Sequence, residues 1–158
     1  MLRLTLSNSD ESIVFDSDVI DQLLALRQTN RTSAEAGGQL FARITPFETY
    51  ITEATGPRPT DIRTRYSYIP DRSAERQEIQ DRFGRGYMYV GDWHTHPTKV
   101  PVPSGPDRRS ITECFRKSHH SLQAFLLVIV GTSADCRTWY FGLANSKDVT
   151  PAVGVEES

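Results

Sequence analysis

Long apolar runs are missing from this chain, and so is any cysteine pattern. The longest run, Ala124 to Val130, falls well short of the ~18–20 residues that cross a bilayer as a helix, so it reads as a buried strand. Met1-Leu2-Arg3-Leu4 has neither the apolar core nor the cleavage site of a secretion signal, so a cytoplasmic location without membrane contact is expected. The two cysteines, Cys114 and Cys136, are too few for a disulfide framework and are expected as free thiols. Lysine is scarce, with Lys99, Lys117 and Lys147 alone; the other basic residues are arginines, which suit bidentate recognition of carboxylates. A net charge of -2 lacks the basic excess that nucleic-acid binding requires, so no such partner is expected.

What is present is ordinary for a soluble globular protein. With 37% hydrophobic and 24% charged residues in 158 positions, the chain suits one domain around one core. Short strands are predicted at Leu2 to Leu6 and Ser12 to Phe15, then a helix from Asp16 or Ser17 to about Gln28 with Val19, Ile20, Leu23, Leu24 and Leu26 on its apolar stripe. Gly38 to Ile44 and Phe47 to Thr55 form a predicted hairpin around Thr45-Pro46. An irregular proline- and arginine-containing stretch, Gly56 to Asp71, precedes a second helix ending near Gly84. Tyr87 to Trp93 is a strand, His94 to Pro106 a stiff proline-rich loop, and Asp107 to about Ser118 a third helix. Gln123 to Val130 and Cys136 to Leu143 close the series as strands, and Asn145 to Ser158 reads as a frayed polar end. The order ββ-α-ββ-α-β-α-ββ predicts an α/β (α+β) domain with a mixed sheet and helices packed on it.

One segment carries chemistry: Gly91-Asp-Trp-His-Thr-His96-Pro, running on to Ser104-Gly-Pro-Asp107. In an extended chain, residues two apart share a face, so His94 and His96 can converge on one metal while Trp93 turns into the core. Asp107, eleven residues later, can be swung back over the pair by the proline-rich loop. Two nitrogens and one oxygen make a plausible zinc site, and three protein ligands leave the fourth position of a catalytic ion open. Each half of the pattern also has an ordinary reading. An isolated H-x-H pair can be incidental, and Ser104 with Asp107 can be a capping box at a helix start.

The two halves together, at this spacing, resemble the JAMM (MPN+) metalloprotease signature: H-x-H, seven residues beginning with a proline (Pro97 to Pro103 here), a serine, two more, then aspartate. Glu35-Ala-Gly37-Gly38-Gln-Leu40 is similar to the family's upstream glutamate before a glycine-containing strand. The resemblance implies a JAMM/MPN domain with a cytidine-deaminase-like mixed sheet over residues 1–144, followed by a polar tail at 145–158. It implies one zinc ion on His94, His96 and Asp107, Glu35 as acid/base, and Ser104 as the hydroxyl that steadies the oxyanion. It implies a protein substrate whose extended C-terminal tail lies beside a strand near the site. Gly37 and Gly38 are then expected to allow close backbone approach. Arg58, Arg63 and Arg65 flank the irregular stretch near the expected cleft; their ordinary reading is solvated loop charge, and their functional one a wall for the tail or an acidic partner. Some small bacterial members with similar phrases act in antiviral operons, deconjugating ubiquitin-like proteins or cGAS-like nucleotidyltransferases.

Other functions stay in view. A protease for a sulfur-carrier protein or small peptide would use the same site, and a non-enzymatic scaffold would keep the domain without it. A zinc deaminase is disfavoured, because its H-x-E and P-C-x-x-C pattern is absent.

Overall fold

The structure is a computed structural model describing residues 1–7 and 9–158. Among these residues, nine strands form one mixed sheet. They are β1 (Leu2–Thr5), β2 (Ser12–Phe15), β3 (Gly37–Ile44), β4 (Glu48–Ala54), β7 (Met88–Thr95), β8 (Phe125–Val130), β9 (Tyr140–Ala144), β10 (Val149–Pro151) and β11 (Gly154–Glu157). Their spatial order is β10-β9-β8-β7-β3-β4-β2-β1-β11, with β2/β4 and β7/β8 parallel and the other pairs antiparallel. Three helices accompany them: α1 (Ser17–Ala25), α2 (Arg72–Gly84) and α3 (Gly105–Lys117). A separate small hairpin, β5 (Ile62–Thr64) with β6 (Ser67–Ile69), lies within the stretch expected to be irregular. The mixed α/β architecture expected from the element order is therefore present, and no helix among the described residues is long and apolar enough to cross a membrane.

The expected frayed end is corrected. β10 pairs with β9, β11 pairs with β1, and the two edge strands are joined by only Ala152 and Val153. The Ala152 N–H donates to Phe141 O at 2.8 Å and the Val153 N–H to Thr5 O at 2.9 Å. The curled sheet is thereby closed by its own C-terminal residues. Composition pointed elsewhere because backbone hydrogen bonds, which side-chain polarity does not report, hold these strands in place. Inside the curl lies the main core, including Leu2, Leu4, Phe15, Leu40, Ile51, Trp93, Val128 and Phe141.

β8 shows why its sequence is apolar throughout. Leu126, Val128 and Val130 face the main core, while Phe125, Leu127 and Ile129 pack on the other side with Ile111 of α3. A strand covered on both faces has no polar side to show. The helix starts follow local chemistry: the Asp71 carboxylate accepts the Ser73 and Ala74 N–H groups, and Ser104 with Asp107 forms a capping box. Two boundaries differ from expectation by three or more residues. α1 ends at Ala25 rather than near Gln28, because the chain turns inward and buries the Gln28 side chain. Cys136–Thr138 is a 3-10 turn whose Asp135 carboxylate accepts the Arg137 N–H, so β9 begins only at Tyr140.

Candidate metal centre

β7 and α3 place the histidines and the aspartate together. In the antiparallel β3–β7 ladder Gly37 pairs with His94, and the Thr95 N–H continues the ladder to Ala36 O at 2.9 Å. This register sets Glu35 opposite His96. The same alternation turns Trp93 inward, where it is buried and donates its indole N–H to Thr55 O at 2.9 Å. Asp92 shares the histidine face, its carboxylate accepting the Tyr89 hydroxyl at 2.7 Å. A bulge in the ladder between Leu40 and Phe41 lets Tyr89 reach the Asp92 side despite their spacing of three.

Asp107 Oδ2 lies 3.3 Å from His94 Nε2 and 3.2 Å from His96 Nε2, and the two Nε2 atoms are 3.2 Å apart. A tetrahedral zinc with bonds of about 2.0–2.1 Å separates its ligand atoms by roughly 3.3 Å, so this near-equilateral triangle fits such an ion. Two imidazole nitrogens and a carboxylate oxygen are also donors that zinc favours. Oδ2 of Asp107 additionally accepts the Ser104 N–H at 2.9 Å, while the Asp107 N–H donates to Ser104 Oγ at 3.1 Å. The capping box and the convergence with the histidines thus use the same carboxylate, and the two readings of the motif hold together. Burial raises the Asp107 carboxyl, but hydrogen bonding to His94 and His96, the charge of His94 and the Ser104 N–H together hold it well below the usual carboxylate range.

Glu35 is buried, and ligand atoms of Glu35, His94 and His96 all lie within 4.8 Å of one another. Its backbone is pinned by the small hairpin: the Glu35 N–H donates to Thr64 O at 2.7 Å, and Arg63 Nε donates to Glu35 O at 2.6 Å. Burial pushes the Glu35 carboxyl up, the nearby histidines oppose this, and Asp107 adds to the rise. Ser104 is exposed at the mouth of a cleft of about 660 Å³ that also contains Glu35, His94, His96, Tyr68 and Asp92.

The glycines and arginines expected near the substrate all make contacts within the chain itself. A Cβ on Gly38 would sit 1.7 Å from Thr55 O, and one on Gly37 would sit 2.6 Å from the Tyr68 ring. The close approach that these glycines permit is therefore made by this chain's own Thr55 and Tyr68. Arg58 is no solvated wall residue: its side chain is 9% exposed and grips Glu78 with Nε and, at 2.7 Å, with Nη2, tying the loop to α2. Arg63 is exposed and donates from Nε to Glu35 O, and Arg65 donates to Asn30 O at 2.9 Å and to the Tyr66 hydroxyl at 3.1 Å. Sequence reasoning missed Asp92, Thr95 and Gln28. Period-two spacing from His94 could have flagged Asp92; nothing local marked Gln28.

Residues 16–142 match the family described as prokaryotic homologs of the JAB domain, and the chain belongs to that family. It is 35% identical over 104 residues to a CD-NTase/cGAS isopeptidase of Escherichia coli (strain TW11681), covering 64% of this chain and 67% of that one. It is 30% identical over 126 residues to a CD-NTase/cGAS isopeptidase of Vibrio cholerae, covering 78% of each. It is 46% identical over 59 residues to a probable metalloprotease, y4qB, of Sinorhizobium fredii, covering 35% of this chain and 36% of that protein. The fold is similar to the solution structure of protein DSY2949 from Desulfitobacterium hafniense, with a TM-score of 0.63 at 18% identity over 88% of each chain.

Proposed function

We propose that this chain is a zinc-dependent isopeptidase or endopeptidase that hydrolyses an amide bond at the end of an extended protein tail. The single observation that carries the reading is the 3.2–3.3 Å triangle of His94, His96 and Asp107 with the buried Glu35 beside it. The relatives are named as isopeptidases and a metalloprotease, which supports a hydrolase that needs a metal. The name shared by the isopeptidase relatives further supports a conjugated CD-NTase or cGAS-like protein as the substrate.

His94, His96 and Asp107 would hold the ion. Zinc supplies Lewis acidity, bringing the pKa of a water down to about 7. Glu35 takes a proton from the attacking water and returns it to the leaving amine, a lysine side chain or an α-amine. A buried carboxylate with a raised pKa suits both halves of that task. Ser104 Oγ already accepts the Asp107 N–H, which leaves its own hydrogen free to meet the growing negative charge on the carbonyl oxygen. Tyr66 to Ile69, on the hairpin, line the cleft. A tail laid along β6 would add a third strand there, aligning its amide by backbone pairing.

The test is a panel of fusion proteins with different C-terminal tails, incubated with metal-analysed protein. Cleavage that a chelator stops and zinc restores is the expected result. Bound zinc without cleavage of any tail would favour a scaffold. Preference for a sulfur-carrier tail over a CD-NTase tail would move the substrate assignment.

A further inference from the structure

Gln28 is 3% exposed, and both ends of its side-chain amide are hydrogen-bonded. Its Nε2 donates to Ser33 O at 3.1 Å and to Arg65 O at 2.9 Å, while its Oε1 accepts the Thr95 hydroxyl at 2.8 Å. Thr95 stands between His94 and His96 on the opposite face of β7 and is wholly buried. Its Oγ1 accepts the Ala36 N–H at 2.9 Å, and its own N–H donates to Ala36 O at 2.9 Å. Ala36 follows Glu35 directly. One buried amide therefore joins three parts: the histidine strand through Thr95, the segment entering Glu35 through Ser33, and the hairpin turn through Arg65. The hairpin closes the circuit on Glu35 itself through Thr64 O and Arg63.

We infer that Gln28, acting through Thr95, is a positioning residue that couples the β5–β6 hairpin and the Glu35 carboxylate to the histidine strand. The inference rests on the peptidase reading above. The circuit holds Glu35 at its distance from the histidines, and a substrate tail seated on the hairpin loads the same hydrogen bonds. Neither side chain lies in the cleft, so their effect falls on turnover and not on substrate affinity. Misplacing a reacting group by about 1 Å costs up to ~10²-fold in rate.

Three variants test this: Thr95→Val, which keeps shape and removes the hydroxyl; Gln28→Met, which keeps length and removes the amide; and Thr95→Ser, which keeps the hydroxyl. The measurements are zinc content, kcat and KM on a cleaved tail fusion, and hydrogen exchange of the Glu35 amide, an atom that Gln28 does not touch. With zinc retained, T95V and Q28M should lose about 10- to 10²-fold in kcat with little change in KM, and T95S should stay close to the parent. The Glu35 amide in Q28M should exchange about tenfold faster or more, since local opening governs protection. Parental kcat and parental Glu35 protection in Q28M overturn the inference. Loss of zinc and melting temperature in step with activity also overturns it, in favour of a merely structural role. If the parent itself cleaves nothing, the peptidase reading fails separately, and the exchange measurement still decides the coupling.

Discussion

Ser104 and Asp107 hold each other twice: the Ser104 N–H donates to Asp107 Oδ2 at 2.9 Å, and the Asp107 N–H donates to Ser104 Oγ at 3.1 Å. A helix start and the candidate metal centre are thus one structure. Ser104→Ala should cost about 1 kcal/mol in urea unfolding through the lost cap. It should also lower kcat by about 10²–10³ while zinc stays bound, through the lost oxyanion donor. Ser104→Thr, which can still cap, separates the two effects. Full turnover in the alanine variant would remove Ser104 from the chemistry.

Glu35 and His96 should fail in different ways. Glu35→Gln keeps the size of the side chain but cannot take a proton, so cleavage should fall by about 10² or more with zinc content unchanged. His96→Ala removes one corner of the triangle and should lose zinc and cleavage together. Metal analysis beside the activity assay distinguishes them; retained turnover in E35Q would eliminate Glu35 as the acid/base.

Deleting residues 149–158 should unfold the protein or leave it aggregation-prone, because the free edges of β1 and β9 would then face solvent. A thermal melt by circular dichroism reads the outcome. An unchanged cooperative melt would mean that closure of the sheet adds nothing to stability.

Burial, reinforced by Glu157, pushes the Cys136 thiol up to about 11 from an ordinary value of 9.0. The folded state then holds a proton that the unfolded state has released, so stability is full below pH 9 and declines as pH rises toward 11. Cys136→Ala should flatten that decline relative to the parent, whatever its cost at neutral pH. Parallel stability–pH curves for the two proteins would contradict the assignment.

What the sequence alone determined was local. Period-two alternation placed His94 and His96 on one face and Trp93 on the other, and the serine–aspartate spacing marked the start of α3. Each depends on neighbours a few residues apart, where backbone geometry is enough. The family signature carried Glu35 to the site by resemblance. Its physical placement belongs to the tertiary structure: only the β3–β7 register, with Gly37 opposite His94, sets Glu35 beside a histidine 61 positions away. The same holds for Gln28, which reads locally as the last turn of a helix and becomes a buried junction because the distant Arg65 carbonyl and Thr95 hydroxyl, with the nearby Ser33 carbonyl, need partners. Arg58 reads locally as a loop charge and finds its partner only where α2 brings Glu78, and the polar C-terminus reads as frayed although β1 and β9 offer it open edges. In each case the deciding energy is a hydrogen bond or ion pair with a partner remote in sequence, which no local pattern encodes.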